Sequence, residues 1–261
     1  NHLDVVVASR WPQILSRKIP AGLRVLWNHD VCPDDDKWLS YLYQTDLLMC
    51  LSEYHVNDFC RRHPGLREHI WQTSNGIDLN MIEANIRPKV PRKLIYTSRP
   101  ERGLLYLLRD VMPRVIERYP DVRLHVCSYD ISKAFDIPPD LQALYNECIQ
   151  RATEMSQNVV MMGSLTKDQL YQHISSSELL VYPTDFPEIS CITAMESQAC
   201  GTPMITTDDF ALSETLGDKS GIKIKVAEHL PFVSSAHEFV EKTSMLLDQP
   251  VVRQEMADNG R

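Results

Sequence analysis

The sequence predicts an α/β fold in which parallel strands alternate with amphipathic helices. Short apolar runs, such as LDVVVA near the start and ELLVYP near residue 180, are typical of strands that helices cover on both faces. Segments with an amphipathic helical pattern lie between these runs. A polar stretch with two prolines, 78–92, separates one series of elements from a second. We therefore expect two α/β domains joined by a linker.

The first series, residues 1–86, holds too few strands for a complete doubly wound domain. Strands are expected at 3–8, 24–27, 46–51 and 70–73, and helices at 36–44 and 53–62. The acidic run Asp34-Asp35-Asp36 would cap the first helix and Ser52 the second. We expect this part of the chain to be an incomplete domain.

The second series, residues 87–261, has the elements of a complete doubly wound domain. Strands are expected at 93–97, 123–127, 159–162, 179–182, 204–206 and 221–226. Helices are expected at 103–118, 138–155, 167–176 and 189–199, with further helices to the end. Ligands of such sheets bind outside the carboxyl ends of the strands. The loops that follow the strands are therefore the expected place for a site.

Composition and charge exclude several classes of function. The net charge is -8, with 27 Lys and Arg against 35 Asp and Glu, whereas nucleic-acid binding requires a basic surface. No apolar run is long enough to cross a membrane. The seven cysteines form no CxxC pair and no zinc-like spacing with histidine, so we expect no metal site and the reduced thiols of a cytoplasmic protein. The sequence has neither the GxGxxG nor the GxxxxGK[ST] motif of common nucleotide-binding folds.

The loop and helix after the strand at 179–182 carry the strongest candidate site. The strand is followed by PTDFPE and then by the expected helix 189–199, whose first amides lack internal acceptors and attract a phosphate or another anion. Glu188 stands before that helix and Glu196 lies eight residues further, so the two carboxylates could hold hydroxyls at the two ends of one extended ligand. The structural alternative is a helix-start acid favoured by the macrodipole and a solvated glutamate.

The segment that contains these acids resembles the donor-binding motif of the retaining GT-B glycosyltransferases. This group includes glycogen synthases, sucrose synthases and bacterial mannosyltransferases. The resemblance lies in Glu188, in Glu196 after seven intervening residues, and in the run ACGTP at 199–203. YPT before the motif and SETLG after it match as well. The resemblance covers nearly the whole chain and implies two Rossmann-like domains that face a cleft, the N-terminal one incomplete.

In that group the first glutamate contacts the transferred sugar and the second holds the ribose of the nucleotide. The resemblance therefore implies a catalytic role for Glu188 and a ribose-binding role for Glu196. It also implies that Ser190, Cys191 and Ile192 supply amides to the sugar and the diphosphate. Cys191 departs from the group, which usually has glycine at this position.

A second motif, YTSRPERGL at 96–104, ends one strand and opens a helix. Arginine offers a planar fork of N–H donors that fits phosphate oxygens. The GT-B group has a basic residue here and then Lys-Gly, and both touch the diphosphate. The resemblance implies that role for Arg99 and Arg102. The structural alternative is an ion pair between Glu101 and one of the two arginines.

Three further features complete the expected site. His29, in WNHDV, follows a strand, as does a histidine in the acceptor domain of the group that reaches the donor sugar; Asp30 could orient it. A lone histidine is also often structural. Leu165, two residues after Gly163, matches a position whose backbone contacts the base. SNGID at 74–78 resembles the interdomain NGID of the group, or is simply a turn.

The resemblance implies a glycosyltransferase that moves a hexosyl group from a nucleotide diphosphate sugar to a hydroxyl. Retention of configuration is expected, with no metal and no cofactor besides the sugar nucleotide as co-substrate. The expected partners are this donor and a glycan, lipid or protein acceptor. Two alternatives remain: a non-catalytic GT-B-like module that binds nucleotide sugars, suggested by the incomplete first domain, and a sugar-nucleotide epimerase of related fold.

Overall fold

A computed structural model describes residues 2–17, 19–129, 137–226 and 232–261, which fall into two compact units. The first unit comprises Asn1–Gly76 together with Pro187–Cys191, and the second comprises Ile77–Phe186 and Ile192–Arg261. Each unit contains a parallel sheet with helices, so the predicted α/β class is confirmed. The predicted domain division after residue 86 falls within the second unit and stays a prediction.

The first unit is built on a four-stranded parallel sheet with the order β1-β2-β3-β4. Its strands are β1 Leu3–Ser9, β2 Ala21–Trp27, β3 Leu47–Cys50 and β4 Ile70–Gln72. Its helices are α1 Asp36–Leu42 and α2 Glu53–Arg62, with 3-10 turns at Pro12–Ser16 and Pro64–His69. Ser52 caps α2 as predicted, because its side chain accepts from the His55 amide at 3.0 Å. Leu26, Leu48 and Phe59 are fully or almost fully buried in the core between sheet and helices.

The second unit is built on a six-stranded parallel sheet with the order β10-β9-β8-β5-β6-β7. Its strands are β5 Lys93–Tyr96, β6 Arg123–Cys127, β7 Val159–Gly163, β8 Leu179–Tyr182, β9 Met204–Thr207 and β10 Gly221–Ile224. Its helices are α3 Leu79–Ala84, α4 Leu104–Tyr106, α5 Met112–Arg118, α6 Pro139–Glu154, α7 Lys167–Ser175, α8 Ile192–Ala199, α9 Leu212–Thr215, α10 Ala236–Asp248 and α11 Pro250–Gly260.

The strand order of this sheet reverses between β5 and β8. The chain moves outward from β5 through β6 to β7 and then returns to the other side of β5, where Leu94 pairs with Leu179. The loops that follow β5 and β8 leave the same edge of the sheet on opposite sides of this switch point. A crevice at the carboxyl ends of the strands is the expected consequence.

The segment 78–92, which the sequence predicts to be the linker, contains a short helix that was not predicted. It contains α3, whose first turn is capped by Asp78, since the Asp78 carboxylate accepts from the Met81 amide at 2.9 Å. Asn85 then donates to Asp168 at 2.9 Å, and the segment packs against α7. Contacts with residues far along the chain therefore stabilise a helix too short to form alone, and the role of the segment as a linker stays a prediction.

The predicted helix 103–118 is also interrupted. After a 3-10 turn at Pro100–Arg102 come α4, a π-helical turn at Leu107–Val111, and α5. Pro113 lacks the N–H that would bond the carbonyl four residues earlier, and the wider turn just before it accommodates this loss. Leu107, Leu108 and Val111 are nonetheless buried, so the apolar pattern predicted the buried face correctly.

Helix α8 begins at Ile192 rather than at the predicted Ile189. The Ser190 carbonyl accepts from the Asn75 side-chain amide at 3.1 Å, which holds the preceding segment in a non-helical conformation. Asn75 belongs to the SNGID motif, so that motif does more than form a turn. As a consequence, Ile189, Ser190 and Cys191 precede the helix, and the amides of its first turn start at Ile192.

The loop after β5 lies directly against the backbone that follows β8. Gly103 has φ 101°, and a Cβ added to it would stand 1.8 Å from the Pro183 carbonyl oxygen. Only glycine combines this left-handed backbone with this close approach. Gly103 therefore determines how close the two loops at the switch point lie.

We expect Gly103→Ala to lower the free energy of unfolding by about 3 kcal/mol or more, because alanine adds steric overlap to backbone strain. The matched control is Gly163→Ala: φ is 68° there, but nothing lies within 4 Å of the added Cβ, so strain alone should cost about 1–2 kcal/mol. Urea denaturation of both variants measures the difference. Equal losses would mean that the contact with Pro183 is not tight.

Candidate active site

A cleft of about 330 Å³ opens in the second unit at the carboxyl ends of β5, β6 and β7. Its walls include three of the residues predicted from the sequence, Arg99, Arg102 and Leu165. Thr193, in the first turn of α8, also lines the cleft, and its hydroxyl donates to the Thr97 carbonyl at 2.9 Å. The cleft thus joins the loops after three strands to the beginning of a helix, where an anion is favoured.

Arg99 makes the ion pair that the sequence left open as an alternative. Its Nε lies 2.5 Å from a Glu101 carboxylate oxygen, and the Tyr145 hydroxyl donates to the other oxygen at 2.8 Å. Burial and the bond to Glu101 raise the pKa of Tyr145, which keeps it a neutral donor. Because 47% of the Arg99 side chain is exposed, the guanidinium still has a solvent-facing part at the cleft. The ion pair with Glu101 orients the Arg99 guanidinium, and the exposed part of that group can still bind a ligand.

Arg102 contacts an aromatic ring. Its guanidinium carbon lies 4.0 Å from the centre of the Phe186 ring, a cation–π contact. Tyr96, the last residue of β5, fixes the backbone of the same loop. Its hydroxyl donates to the Arg99 carbonyl at 2.8 Å and lies 3.1 Å from the Arg102 carbonyl. Two positively charged groups are therefore presented to the cleft by a loop with little freedom to move.

Two buried hydroxyls of the cleft have no hydrogen-bond partner among the described residues. Thr97 directly follows β5 and Ser128 directly follows β6; each is 8% exposed, and neither side-chain oxygen is bonded. Buried polar groups in proteins are almost always satisfied, so groups like these indicate a place for a polar ligand. The sequence signal for them is a hydroxyl residue directly after a buried strand. The site prediction did not include this signal.

Glu196 lies behind the cleft rather than on its wall. It is 3% exposed, and one of its carboxylate oxygens, Oε1, pairs with the Lys167 ammonium and accepts from the Tyr171 hydroxyl at 3.1 Å. Lys167 itself lines the cleft. Sequence reasoning missed Lys167, although a lysine in the first turn of a helix, where acidic residues are favoured, was a signal for it.

Three remaining residues of the predicted donor motif lie in the segment Pro187–Cys191 of the first unit, and the fourth, Ile192, belongs to the second unit. Glu188, Ser190 and Cys191 are buried, whereas Ile192 is half-exposed at the start of α8. Ser190 and Cys191 were predicted to offer helix-terminal amides. The predicted helix start is wrong, since α8 begins at Ile192 and the amides of Ser190 and Cys191 precede it; their contact with the donor stays a prediction.

His29 follows β2, as predicted, but Asp30 does not orient it. The Asp30 carboxylate pairs with Arg10 at 2.7 Å, and the His29 ring instead lies 5.0 Å from the Trp27 ring. The backbone at this turn is fixed by His55, which is fully buried and whose Nε2 lies 2.9 Å from the Asp30 carbonyl oxygen. Burial, followed by the charge of Arg10, lowers the pKa of His29, so its imidazole is neutral near pH 7.

The tautomer of His55 follows from its contacts. Its Nδ1 accepts from the Leu51 amide at 3.1 Å, so Nε2 carries the proton and donates to the Asp30 carbonyl. Asp58, from the same helix, accepts from the Cys32 amide at 2.8 Å. Two side chains of α2 thus bond to the backbone that follows His29.

The family model described as "Glycosyl transferases group 1" matches residues 91–249, which include the whole cleft of the second unit. The chain belongs to this family. A curated relative is the GDP-mannose-dependent monoacylated alpha-(1-6)-phosphatidylinositol monomannoside mannosyltransferase of Corynebacterium glutamicum, 25% identical over 170 residues. The match covers 62% of this chain and 39% of that enzyme, so this group 1 chain corresponds to only part of its relative.

Solved structures share the fold of the chain. Sucrose-phosphate synthase from Thermosynechococcus elongatus matches 98% of this chain and 67% of its own, with a TM-score of 0.73 and 16% identity. HepE from Anabaena, in complex with UDP, matches 98% of this chain and 73% of its own, with a TM-score of 0.68 and 16% identity. The predicted GT-B-like fold is thereby confirmed. Among the described helices, none has the length and apolar character needed to cross a membrane.

We expect Arg99→Ala to weaken the binding of a nucleoside diphosphate by about 1.5–3 kcal/mol, because a charge-assisted hydrogen bond to phosphate is lost. Arg118→Ala is the matched control, since Arg118 is similarly exposed, pairs with Glu241 at 3.6 Å and lies outside the cleft. Calorimetric titration measures both. Unchanged affinity in Arg99→Ala would make its ion pair with Glu101 purely structural.

Proposed function

We propose that the chain binds the donor of a glycosyltransferase that moves a hexosyl group from a nucleotide diphosphate sugar to an acceptor hydroxyl. The observation that carries this is the arginine pair at the carboxyl edge of a sheet that belongs to the group 1 family. The names of the relatives point the same way: one is GDP-mannose-dependent and another was crystallised with UDP. Because one relative uses a guanine nucleotide and the other binds a uracil nucleotide, the proposed donor is defined by its diphosphate and sugar and not by its base.

Arg99 and Arg102 are proposed to bind the diphosphate. Both guanidinium groups are oriented before any ligand arrives, by Glu101 and by Phe186 respectively. Charges fixed in advance stabilise a developing negative charge without reorganisation, and that charge grows on the phosphate as the glycosidic bond breaks. Leu165, on the wall of the same cleft, is proposed to contact the base through its backbone.

Glu196 is proposed to bind the ribose and Glu188 the transferred sugar. The role of Glu196 is supported by its Oε2, which bonds to no described residue and can accept from a sugar hydroxyl. The role of Glu188 is supported by its place in the donor motif, eight residues before Glu196. The amides at Ser190, Cys191 and Ile192 are proposed to contact the sugar and the diphosphate. His29, neutral near pH 7, is proposed to bind the donor sugar as a hydrogen-bonding group rather than as a cation.

We further propose retention of configuration by front-face attack, as in glycogen and sucrose synthases. The bond between the anomeric carbon and the phosphate oxygen breaks with its electron pair going to the phosphate. The acceptor oxygen bonds to the same face of the sugar, and its proton passes to the departing phosphate. Arg99, Arg102 and the first turn of α8 would neutralise that phosphate.

The reaction is proposed to need no metal and no cofactor besides the sugar nucleotide. Since the two arginines supply the positive charge at the diphosphate, we expect full transferase activity after dialysis against EDTA. Adding back manganese or magnesium should change the rate little. A strict requirement for either ion would contradict the proposed role of the arginines.

The experiment that tests the function is a product assay with UDP-, GDP- and ADP-sugars and a panel of glycan, lipid and protein acceptors. A glycosylated acceptor with the anomeric configuration of the donor supports the proposal. Conversion of the donor into another hexose without acceptor would identify an epimerase instead. Binding of the donor without any product from the full-length protein would identify a binding module.

The two glutamates are expected to respond differently to two ligands. Glu196→Ala should weaken a bare nucleoside diphosphate and the sugar nucleotide alike, because both contain ribose. Glu188→Ala should leave the bare diphosphate nearly unchanged while sugar-nucleotide binding or turnover falls. Paired titrations of each variant, with thermal melts to monitor folding, measure this. Equal losses for both ligands that follow the melting temperatures would make both acids structural.

The cytoplasm is the proposed compartment. All seven cysteines are free thiols, and six of them are buried. Burial raises the pKa of most of these thiols, for example that of Cys200 to about 12, which keeps them protonated and inert. Free thiols in this number suit a reducing compartment.

A further inference from the structure

Three side chains form a polar cluster just behind the cleft, and one of them, Lys167, reaches the wall of the cleft. The Glu196 carboxylate is 3% exposed, and its two hydrogen-bond partners come from α7: the Lys167 ammonium and the Tyr171 hydroxyl. Lys167 stands in the first turn of α7 and Tyr171 one turn later, so both point to the same side of the helix. The cluster therefore connects α7 to α8 beside the cleft.

The hydrogen bonds of this cluster are distributed unevenly over the carboxylate. Lys167 and Tyr171 both bond to Oε1, whereas no described residue bonds to Oε2. Glu196 as a whole is only 3% exposed, so little water reaches its carboxylate, and an acceptor without a donor there costs free energy. Oε2 is therefore the atom of this cluster that a ligand hydroxyl can satisfy.

Resting on the proposed function, we propose that Lys167 and Tyr171 are positioning residues that hold Glu196 so that Oε2 accepts a hydrogen bond from the ribose 2′-hydroxyl of the donor. The chain would then distinguish ribonucleotides from 2′-deoxyribonucleotides. The discrimination comes from an acceptor that stays unsatisfied when the 2′-hydroxyl is missing.

Each of the two positioning residues contributes in its own way. Burial and the charge of Glu196 raise the pKa of Tyr171, so its hydroxyl stays a neutral donor to Oε1. Lys167 keeps a positive charge beside the carboxylate, and because 54% of its side chain is exposed at the cleft, that charge also acts on the ligand. Without either residue the carboxylate can rotate and present both oxygens without preference.

The test compares UDP, GDP and ADP with their 2′-deoxy counterparts by calorimetric titration. For the base that binds best, the unaltered chain should prefer the ribonucleotide by about tenfold or more. Tyr171→Phe and Lys167→Met should each lower this preference several-fold, and Lys167→Arg should restore most of it. Lys167→Met should in addition weaken both ligands, because a positive charge is lost from the cleft.

Matched controls remove the same groups elsewhere in the second unit. The Tyr119 hydroxyl donates to Asp248 at 2.7 Å and the Lys223 ammonium pairs with Asp218 at 2.6 Å, so Tyr119→Phe and Lys223→Met should leave the preference unchanged. A general loss of stability would weaken both ligands equally and would not change their ratio. If Tyr171→Phe unfolds at the assay temperature, Lys167→Met and Lys167→Arg carry the test.

The outcomes separate this inference from the proposed function. If the unaltered chain binds none of the nucleotides, the proposed function fails and the inference fails with it. If it binds ribo- and deoxyribonucleotides equally, the function stands and Glu196 does not read the 2′-hydroxyl. If it prefers ribonucleotides but the Lys167 and Tyr171 variants keep the full preference, these residues do not position Glu196.

Discussion

The backbone of Gly103 lies against the Pro183 carbonyl, with no room for a side chain between them, and this approach brings together the loops that follow β5 and β8. These two strands are neighbours at the switch point of the second sheet, so their loops form the edge at which such sheets bind ligands. One of the loops carries Arg99 and Arg102, and the other leads to the donor motif. The positions of the charged groups therefore depend on one glycine that does not itself line the cleft.

Much of the second unit could be predicted from the sequence. Strands β6 and β8 have the bounds that the apolar runs predict, because a strand buried on both faces leaves a short continuous apolar signal. Arg99, Arg102 and Leu165 were predicted for the site from the resemblance to the GT-B group, and they share one cleft. What failed depends on distant contacts: α8 starts late because Asn75 binds the Ser190 carbonyl, which no local pattern shows.

The charged groups of the cleft are each held by a partner before any ligand binds. Arg99 is held by Glu101, Arg102 by Phe186, and Glu196 by Lys167 and Tyr171. Side chains fixed in this way lose little entropy on binding, which favours affinity for an extended, highly charged ligand. Sequence reasoning found the two arginines and the glutamate but not their partners, because a partner is defined by the fold and not by spacing along the chain.

The central claim is that a nucleoside diphosphate binds at the carboxyl edge of the second sheet, and amide hydrogen exchange tests it most directly. The chain is compared with and without a saturating nucleoside diphosphate, and exchange is read by mass spectrometry. The account predicts slower exchange in 97–103, 163–170 and 192–196, which contain the cleft loops and the first turns of α7 and α8. Unchanged exchange there, with protection confined to β1 and β2 of the first unit, would contradict it.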